Sequence, residues 1–130
     1  MDAAQALHEL TELSSQIESA VVLAADGSVL ASTHEDPARS EALASSALEL
    51  VSAASDLSSP AQEVTRAEVE LEEGALFVLR EGDRTIAATT GPQPTSGLVV
   101  YDLRTCLQGI AEPEQKKKRK STRKAKEGDE

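Results

Sequence analysis

The sequence is poor in aromatic residues, in cysteine and in long apolar runs, and each shortage excludes a class of function. Its 130 residues contain one Phe, one Tyr and no Trp, so the stacking platforms that bind single-stranded nucleic acid are missing. A single cysteine, Cys106, excludes an internal disulfide and a cysteine-rich metal site. The longest apolar run is "AVVLAA" at 20–25, far shorter than a membrane span of about 20 residues.

Motifs for catalysis and for cofactor binding are also missing. Neither G-x-x-x-x-G-K-[S/T] nor G-x-G-x-x-G occurs, so the sequence predicts no cradle for nucleotide phosphates. His8 and His34 have no second ligand at metal spacing, and neither is placed by sequence to activate Cys106. We therefore expect no catalytic residue, no bound metal and no cofactor. Because the N-terminus lacks the basic and apolar regions of a signal peptide, we expect a cytoplasmic protein.

Charge is distributed unevenly along the chain. Residues 1–112 carry five arginines, no lysine and nineteen acidic residues, a formal charge of −14. Residues 113–130, the basic tail, carry eight basic residues against four acids. The basic residues of the tail are Lys116, Lys117, Lys118, Arg119, Lys120, Arg123, Lys124 and Lys126. Because the tail has almost no apolar residue to bury, we expect a folded domain at 1–112 followed by a disordered tail at 113–130.

The beginning of the domain predicts a helix and a hairpin. Apolar residues at three- and four-residue spacings predict an amphipathic helix over 3–18, with Ile17 on its apolar stripe. The following segment, "AVVLAADGSVLAST", contains two β-favouring runs around Asp26 and Gly27. This pattern predicts a hairpin with a two-residue type I′ turn, since that turn needs positive φ at both central positions.

A long helix is predicted next. Asp36 is the expected N-cap and Pro37 the first helical residue, and the apolar periodicity continues to about residue 57. The apolar face of this helix is wide and rich in Ala and Ser, which allow another backbone to approach closely. A second packing partner explains this width, and a helix packed wholly within its own domain explains it equally well.

The second half of the domain predicts three strands and a helix. Apolar and polar residues alternate over 63–72, the pattern of a strand with one solvated face, and turns then lead into "ALFVLR" and "RTIAATT". Apolar residues between 99 and 110 recur with helical spacing and include Cys106 as a small buried hydrophobe. The order α-β-β-α-β-β-β-α predicts an α+β layered domain with a five-stranded antiparallel sheet. The long helix would cover one face of the sheet and the terminal helices the other.

Residues 3–112 resemble the roadblock, or dynein light-chain-like, family, and in particular its bacterial members that associate with small Ras-like GTPases. Four segments in order carry the resemblance: "VVLAADGSVLAS", the long Ala-rich helix, "EVTRAEVELEEGALFVLREGDRTIAATT" and "GLVVYDLRTCLQGIAE". The resemblance implies a profilin-like fold. It also implies a non-catalytic signalling adaptor or regulator whose partner is a small Ras-like GTPase.

The resemblance further implies a homodimer. Roadblock domains pair their third strands edge to edge and place their long helices side by side, which here selects 63–72 and 37–57. The interface residues implied in this way are Thr65, Ala67, Val69, Leu71, Ala47, Leu50 and Ala54. The strand pattern agrees with this expectation, because an unpaired edge strand is otherwise an aggregation hazard.

Two alternatives remain open from the sequence. A profilin-like domain can also be a small-ligand sensor, although such a site needs a concave pocket with converging polar groups. The basic tail can instead make the protein a scaffold that contacts an anionic membrane or nucleic acid weakly and in a salt-dependent manner. We expect the tail to bring the protein to the inner face of the membrane, and residues 1–112 to select its protein partner.

Overall fold

A computed structural model describes residues 1–57 and 64–110. These residues form three helices and five strands in the predicted order. The elements are α1 (Ala3–Leu13), β1 (Ile17–Leu23), β2 (Val29–Ser32), α2 (Pro37–Ser55), β3 (Arg66–Leu71), β4 (Gly74–Glu81), β5 (Arg84–Thr90) and α3 (Ser96–Gln108). The predicted end of the domain at residue 112 and the basic tail lie outside the described residues.

The five strands form one antiparallel sheet in the order β2-β1-β5-β4-β3. Three hairpins connect neighbouring strands, and β1 pairs with β5 to join the two halves of the chain. The central strand β5 carries small side chains, with Ala87 packed on one face and Ala88 on the other. Because these side chains are small, helices can pack closely on both faces.

The helices cover the two faces as the sequence predicts. The larger apolar cluster lies between the sheet and the pair α1 and α3, where Phe77, Ile86 and Leu103 are buried. The smaller cluster lies between the sheet and α2, where Leu23 and Val78 are buried. The predicted α+β layered domain with a five-stranded antiparallel sheet is therefore confirmed.

The prediction that α1 continues to residue 18 is wrong. The helix ends at Leu13, Ser14 has extended backbone angles, and Ile17 begins β1, where it pairs with Thr90 of β5. Leu13 follows the helical spacing but is 79% exposed. At Ile17, the stabilisation from pairing with β5 and from burial in the sheet exceeds the local preference for continuing the helix.

The β1–β2 hairpin is confirmed, but its turn differs from the predicted one. The Ala24 N–H donates to the Ser28 carbonyl at 2.9 Å, which leaves a three-residue loop, and within that loop only Gly27 has positive φ, at 88°. The Asp26 carboxylate accepts hydrogen bonds from the hydroxyl (2.7 Å) and backbone N–H (2.9 Å) of Ser28. A three-residue loop that ends in a left-handed glycine replaces the predicted type I′ turn.

The predicted start of α2 is confirmed. The Asp36 carboxylate accepts a hydrogen bond from the Ala38 N–H at 3.0 Å, and Pro37 occupies the first helical position. This cap satisfies one of the backbone donors that a helix N-terminus leaves open. The N-cap fixes the point at which the chain leaves the β1–β2 hairpin and crosses the sheet.

Candidate protein-interaction surface

One edge of the sheet is formed by β3, which pairs with β4 alone among the described strands. The Thr65 carbonyl accepts a hydrogen bond from the Arg80 N–H at 2.9 Å, immediately next to the Arg66–Leu79 pair at which the ladder begins. Along a β-strand, the N–H and C=O groups of successive residues point alternately to the two sides. Since Thr65 bonds to β4, the other odd-numbered residues of β3 bond to β4 as well. The backbone groups of Arg66, Glu68 and Glu70 therefore point away from β4, on the side where no other described strand lies.

The side chains of β3 divide between the two faces of the sheet. Ala67, Val69 and Leu71 lie on the α2 face, where Ala67 and Val69 are half-buried and Leu71 is 60% exposed. The charged side chains lie on the opposite face, where the Ser96 hydroxyl of α3 donates to the Glu68 carboxylate at 2.8 Å. Both faces of β3 thus remain partly open, with an apolar row on one side and a charged row on the other.

The placement of α2 corrects one predicted interface residue. Ala47 is fully buried against the sheet of its own domain, so its side chain offers no surface to a second chain. The physical reason is that α2 uses its smallest residues, Ala44 and Ala47, to approach the sheet. Leu50 and Ala54 are half-buried at the margin of the same contact, which leaves part of each side chain accessible.

The outward side of α2 carries small residues that the sequence-based prediction missed. Ala42, Ser46 and Ala53 are exposed and lie on the side of the helix opposite the buried Ala44 and Ala47. A helical wheel centred on the buried alanines would have found them, since positions half a turn away face outward. Together with the accessible parts of Thr65, Ala67, Val69, Leu71, Leu50 and Ala54 they form what we call the β3–α2 surface.

The titratable groups that could have formed a catalytic or metal site are not assembled into one. The described part of the chain contains no cluster of three His, Cys, Asp or Glu side chains able to hold a metal ion. Cys106 is buried, and its burial, with a smaller contribution from the Glu9 carboxylate, raises the pKa of the thiol to about 11. The prediction that Cys106 acts as a small buried hydrophobe is confirmed, because a neutral thiol inside an apolar cluster is neither nucleophilic nor charged.

The described surface also has an apolar groove between α1 and α3. Its volume is about 170 Å³, and its lining includes Leu10, Leu13 and Cys106, with Glu9 and Asp102 also present. Small-ligand sites usually measure about 300–1,000 Å³ and contain converging polar groups, so this groove is smaller than a typical small-ligand site. Within residues 1–57 and 64–110, no helix has the length and apolar content needed to cross a bilayer.

Both the sequence and the fold are similar to those of known proteins. The sequence matches the Roadblock/LC7 domain family over residues 3–90. The structure is similar to a Roadblock/LC7 domain from Streptomyces avermitilis, with a TM-score of 0.72 and 23% sequence identity over 83% of this chain and 93% of that chain. A comparison with curated protein sequences gives no match.

Two further solved structures with this fold are MglB proteins. The gliding protein MglB from Thermus thermophilus has a TM-score of 0.65 and 17% identity over 80% of this chain and 82% of that chain. An MglB with a tetrameric arrangement has a TM-score of 0.62 and 17% identity over 84% of this chain and 85% of that chain. At these identities the likeness shows the fold. The family match covers more than half of the sequence, and we conclude that the chain belongs to the Roadblock/LC7 domain family.

Proposed function

We propose that this chain is a non-catalytic, homodimeric adaptor or regulator that binds a small Ras-like GTPase. Roadblock/LC7 domains are generally adaptors or regulators rather than enzymes, and family membership supports that role here. The bacterial branch that the sequence resembles associates with small Ras-like GTPases. The observation that supports self-association is the β3–α2 surface, since a regular strand edge beside accessible apolar side chains favours pairing with another chain. GTPase binding is supported by family membership.

Self-association through the β3–α2 surface is the first part of the proposal. A regular edge strand with unpaired backbone groups is a hazard unless another chain covers it. The accessible apolar side chains Val69, Leu71 and Leu50 lie on the same face of the sheet as α2, so a strand added to β3 would bring a second α2 beside the first. The tetrameric arrangement of one MglB with this fold supports self-association. A stable dimer would bury about 1,200–2,000 Å² of surface.

A proline substitution at the outward edge tests this dimer. The Glu70 N–H points away from β4, so Glu70→Pro removes a donor that no other described strand uses, and proline is tolerated at such edge positions. We expect wild type to be a dimer at micromolar concentration by light scattering and Glu70→Pro to be a folded monomer. Glu70→Ala keeps the N–H and should remain largely dimeric.

The residue chosen for proline decides what this experiment measures. Val69 points its N–H into the ladder with β4, so Val69→Pro would break the domain's own sheet and could not separate dimer loss from misfolding. A wild-type chain that runs as a monomer, or a Glu70→Pro chain that remains a dimer with native circular dichroism, would contradict pairing through β3.

GTPase binding is the second part of the proposal. The test is a titration against the Ras-like GTPase encoded nearest the gene, loaded with GDP and separately with a non-hydrolysable GTP analogue. We expect saturable binding in at least one nucleotide state, and no binding in either state would reject the proposal. Repeating the titration with Glu70→Pro shows whether the GTPase recognises one chain or the dimer.

The basic tail has a separate proposed role in localisation. Each Lys or Arg near an anionic membrane contributes about 1 kcal/mol at most, so eight basic residues offset by nearby acids support reversible recruitment. We expect truncation after Glu112 to abolish binding to anionic vesicles and to leave GTPase binding unchanged. Loss of GTPase binding on truncation would instead make the tail part of the recognition surface.

A further inference from the structure

The charged row of β3 restricts how a second copy can pair with it. Two identical strands in a symmetric dimer run antiparallel about a two-fold axis, so each residue lies opposite a residue at equal distance on the other side of the axis. Only Arg66, Glu68 and Glu70 point their backbone groups outward. Hydrogen bonds between the copies therefore form only in registers that place these three residues opposite one another.

Three such registers have their axis at neighbouring residues of β3. With the axis at Val69, Arg66 lies opposite Glu72 of the second copy, but Glu68 lies opposite Glu70 of the second copy twice, and like charges directly opposite are destabilising. With the axis at Ala67, Arg66 lies opposite Glu68 of the second copy, but only residues 66–68 of each β3 are then paired. With the axis at Glu68, residues 66–70 of both strands are paired and Arg66 lies opposite Glu70 of the second copy twice.

We propose that a second copy pairs with β3 in the register centred on Glu68, held by two Arg66–Glu70 pairs between the copies. This inference rests on the proposed homodimer and specifies how its strands align. The same register places Leu71, which is 60% exposed in the single chain, opposite Thr65 of the second copy. It also places Ala67 opposite Val69 of the second copy, so the apolar row and the charged row are both self-complementary.

Glu68 is the unfavourable position in this register. Its carboxylate meets its own copy at the two-fold axis, where directly opposite Cβ atoms are about 5 Å apart. The hydrogen bond from the Ser96 hydroxyl, at 2.8 Å, draws the carboxylate towards α3 and away from the axis. Phe77 is the β4 residue opposite Glu68, and the nearest charges on the strand itself are Arg66 and Glu70. Glu68 thus limits the affinity of the dimer while Arg66 and Glu70 set its register.

A charge exchange tests the two Arg66–Glu70 pairs. Arg66→Glu and Glu70→Arg each place like charges opposite one another, so each single variant should weaken the dimer about tenfold at low salt. The double variant restores opposite charges and should recover most of the wild-type dissociation constant, measured by sedimentation equilibrium. Thermal unfolding of each variant, followed by circular dichroism, checks that all four proteins are folded.

Glu68→Gln gives a result of opposite sign for the registers centred on Glu68 and on Ala67. In the register centred on Glu68 it removes repulsion at the axis, so the dimer should tighten about threefold. In the register centred on Ala67 it removes an attraction to Arg66, so the dimer should loosen. Glu70→Arg would have no effect there, because Glu70 lies opposite Val64 of the second copy.

The outcomes separate this inference from the proposal on which it rests. A wild-type dimer that each single exchange weakens and the double exchange restores, together with a tighter Glu68→Gln dimer, supports the register, because Glu70→Arg would tighten a dimer centred on Val69. A wild-type dimer that Glu68→Gln loosens, or that the double exchange fails to restore, overturns the register and leaves the homodimer standing. A wild-type monomer at micromolar concentration overturns both.

Discussion

The two edges of the sheet differ in length, in regularity and in what covers them. β2 has four residues, its register with β1 shifts between Val22 and Leu23, and Ser32 at its end is hydrogen-bonded to Ser40 of α2 at 2.7 Å. β3 has six residues in unbroken register with β4. A short, irregular edge resists pairing with another chain, whereas a longer regular edge favours it. The difference indicates that only the β3 edge is suited to strand addition.

The largest expected effect comes from the turn that supports the β3 edge. A Cβ at Gly74 would overlap the backbone carbonyl of Thr90 at the end of β5, and neither backbone can yield without disturbing the sheet. We expect Gly74→Ala to lower the free energy of unfolding by about 1–3 kcal/mol, measured by urea denaturation. Hydrogen exchange should accelerate in the β3–β4 hairpin more than in β1–β2.

Gly97 is the matched control for Gly74. A Cβ there meets no heavy atom within 4 Å, and the residue lies in the first turn of α3. Gly97→Ala should leave stability unchanged or raise it by up to about 1 kcal/mol, because alanine favours helix more than glycine does. Equal losses for the two variants would show that the close approach at Gly74 is not what supports the β3 edge.

An intermediate effect is expected from the exposed leucines of the two edges. Leu71 on β3 is 60% exposed and Leu30 on β2 is 46% exposed, so neither contributes much to the stability of a single chain. If the second copy covers only the β3 edge, Leu71→Ser should weaken the dimer about tenfold and Leu30→Ser should not change it. Sedimentation equilibrium on both variants measures the difference, and equal weakening would contradict the contrast between the edges.

The smallest effect is expected at the turn before β2. Two hydrogen bonds favour the charged form of Asp26 and lower its pKa from the ordinary value of 3.8. The bond from the Ser28 hydroxyl has the larger effect and the bond from the Ser28 N–H the smaller. A carboxyl group whose pKa is lowered in the folded state stabilises the fold at pH values above its ordinary pKa. This stabilisation is lost as the pH falls through the lower pKa of the folded state. Asp26→Ala should slightly lower the thermal midpoint at pH 7, and its difference from wild type should shrink below pH 3.8.

Asp26→Asn separates the charge of this turn from its hydrogen bonds. Asparagine keeps an acceptor for the Ser28 N–H and is favoured in such turns, so this variant should lose less stability than Asp26→Ala. Thermal unfolding at two pH values distinguishes the variants. A wild-type protein whose advantage over Asp26→Ala grows as the pH falls would show that the hydrogen bonds do not favour the carboxylate.

The element order and the chemistry of the β3 edge follow from the sequence. Apolar periods of two and of about 3.6 residues locate the strands and helices, and Asp36 with Pro37 fixes the start of α2, because these signals act between near neighbours in the chain. The alternation over 63–72 identifies a strand with one charged row. The same alternation places Thr65, Ala67, Val69 and Leu71 on one side of that strand, and all four remain at least partly accessible in the structure.

Tertiary structure decided the features that depend on residues distant in sequence. Ile17 fits a helical stripe equally well, and its pairing with Thr90 of β5 assigns it to β1. Ala47 fits an interface by composition, and the side of α2 that packs on the sheet buries it. By sequence alone, Gly74 is a typical turn glycine. In the structure a Cβ at this position would overlap the carbonyl of Thr90, so only glycine fits. Local sequence cannot determine these features, because each is set by a contact with a distant part of the chain.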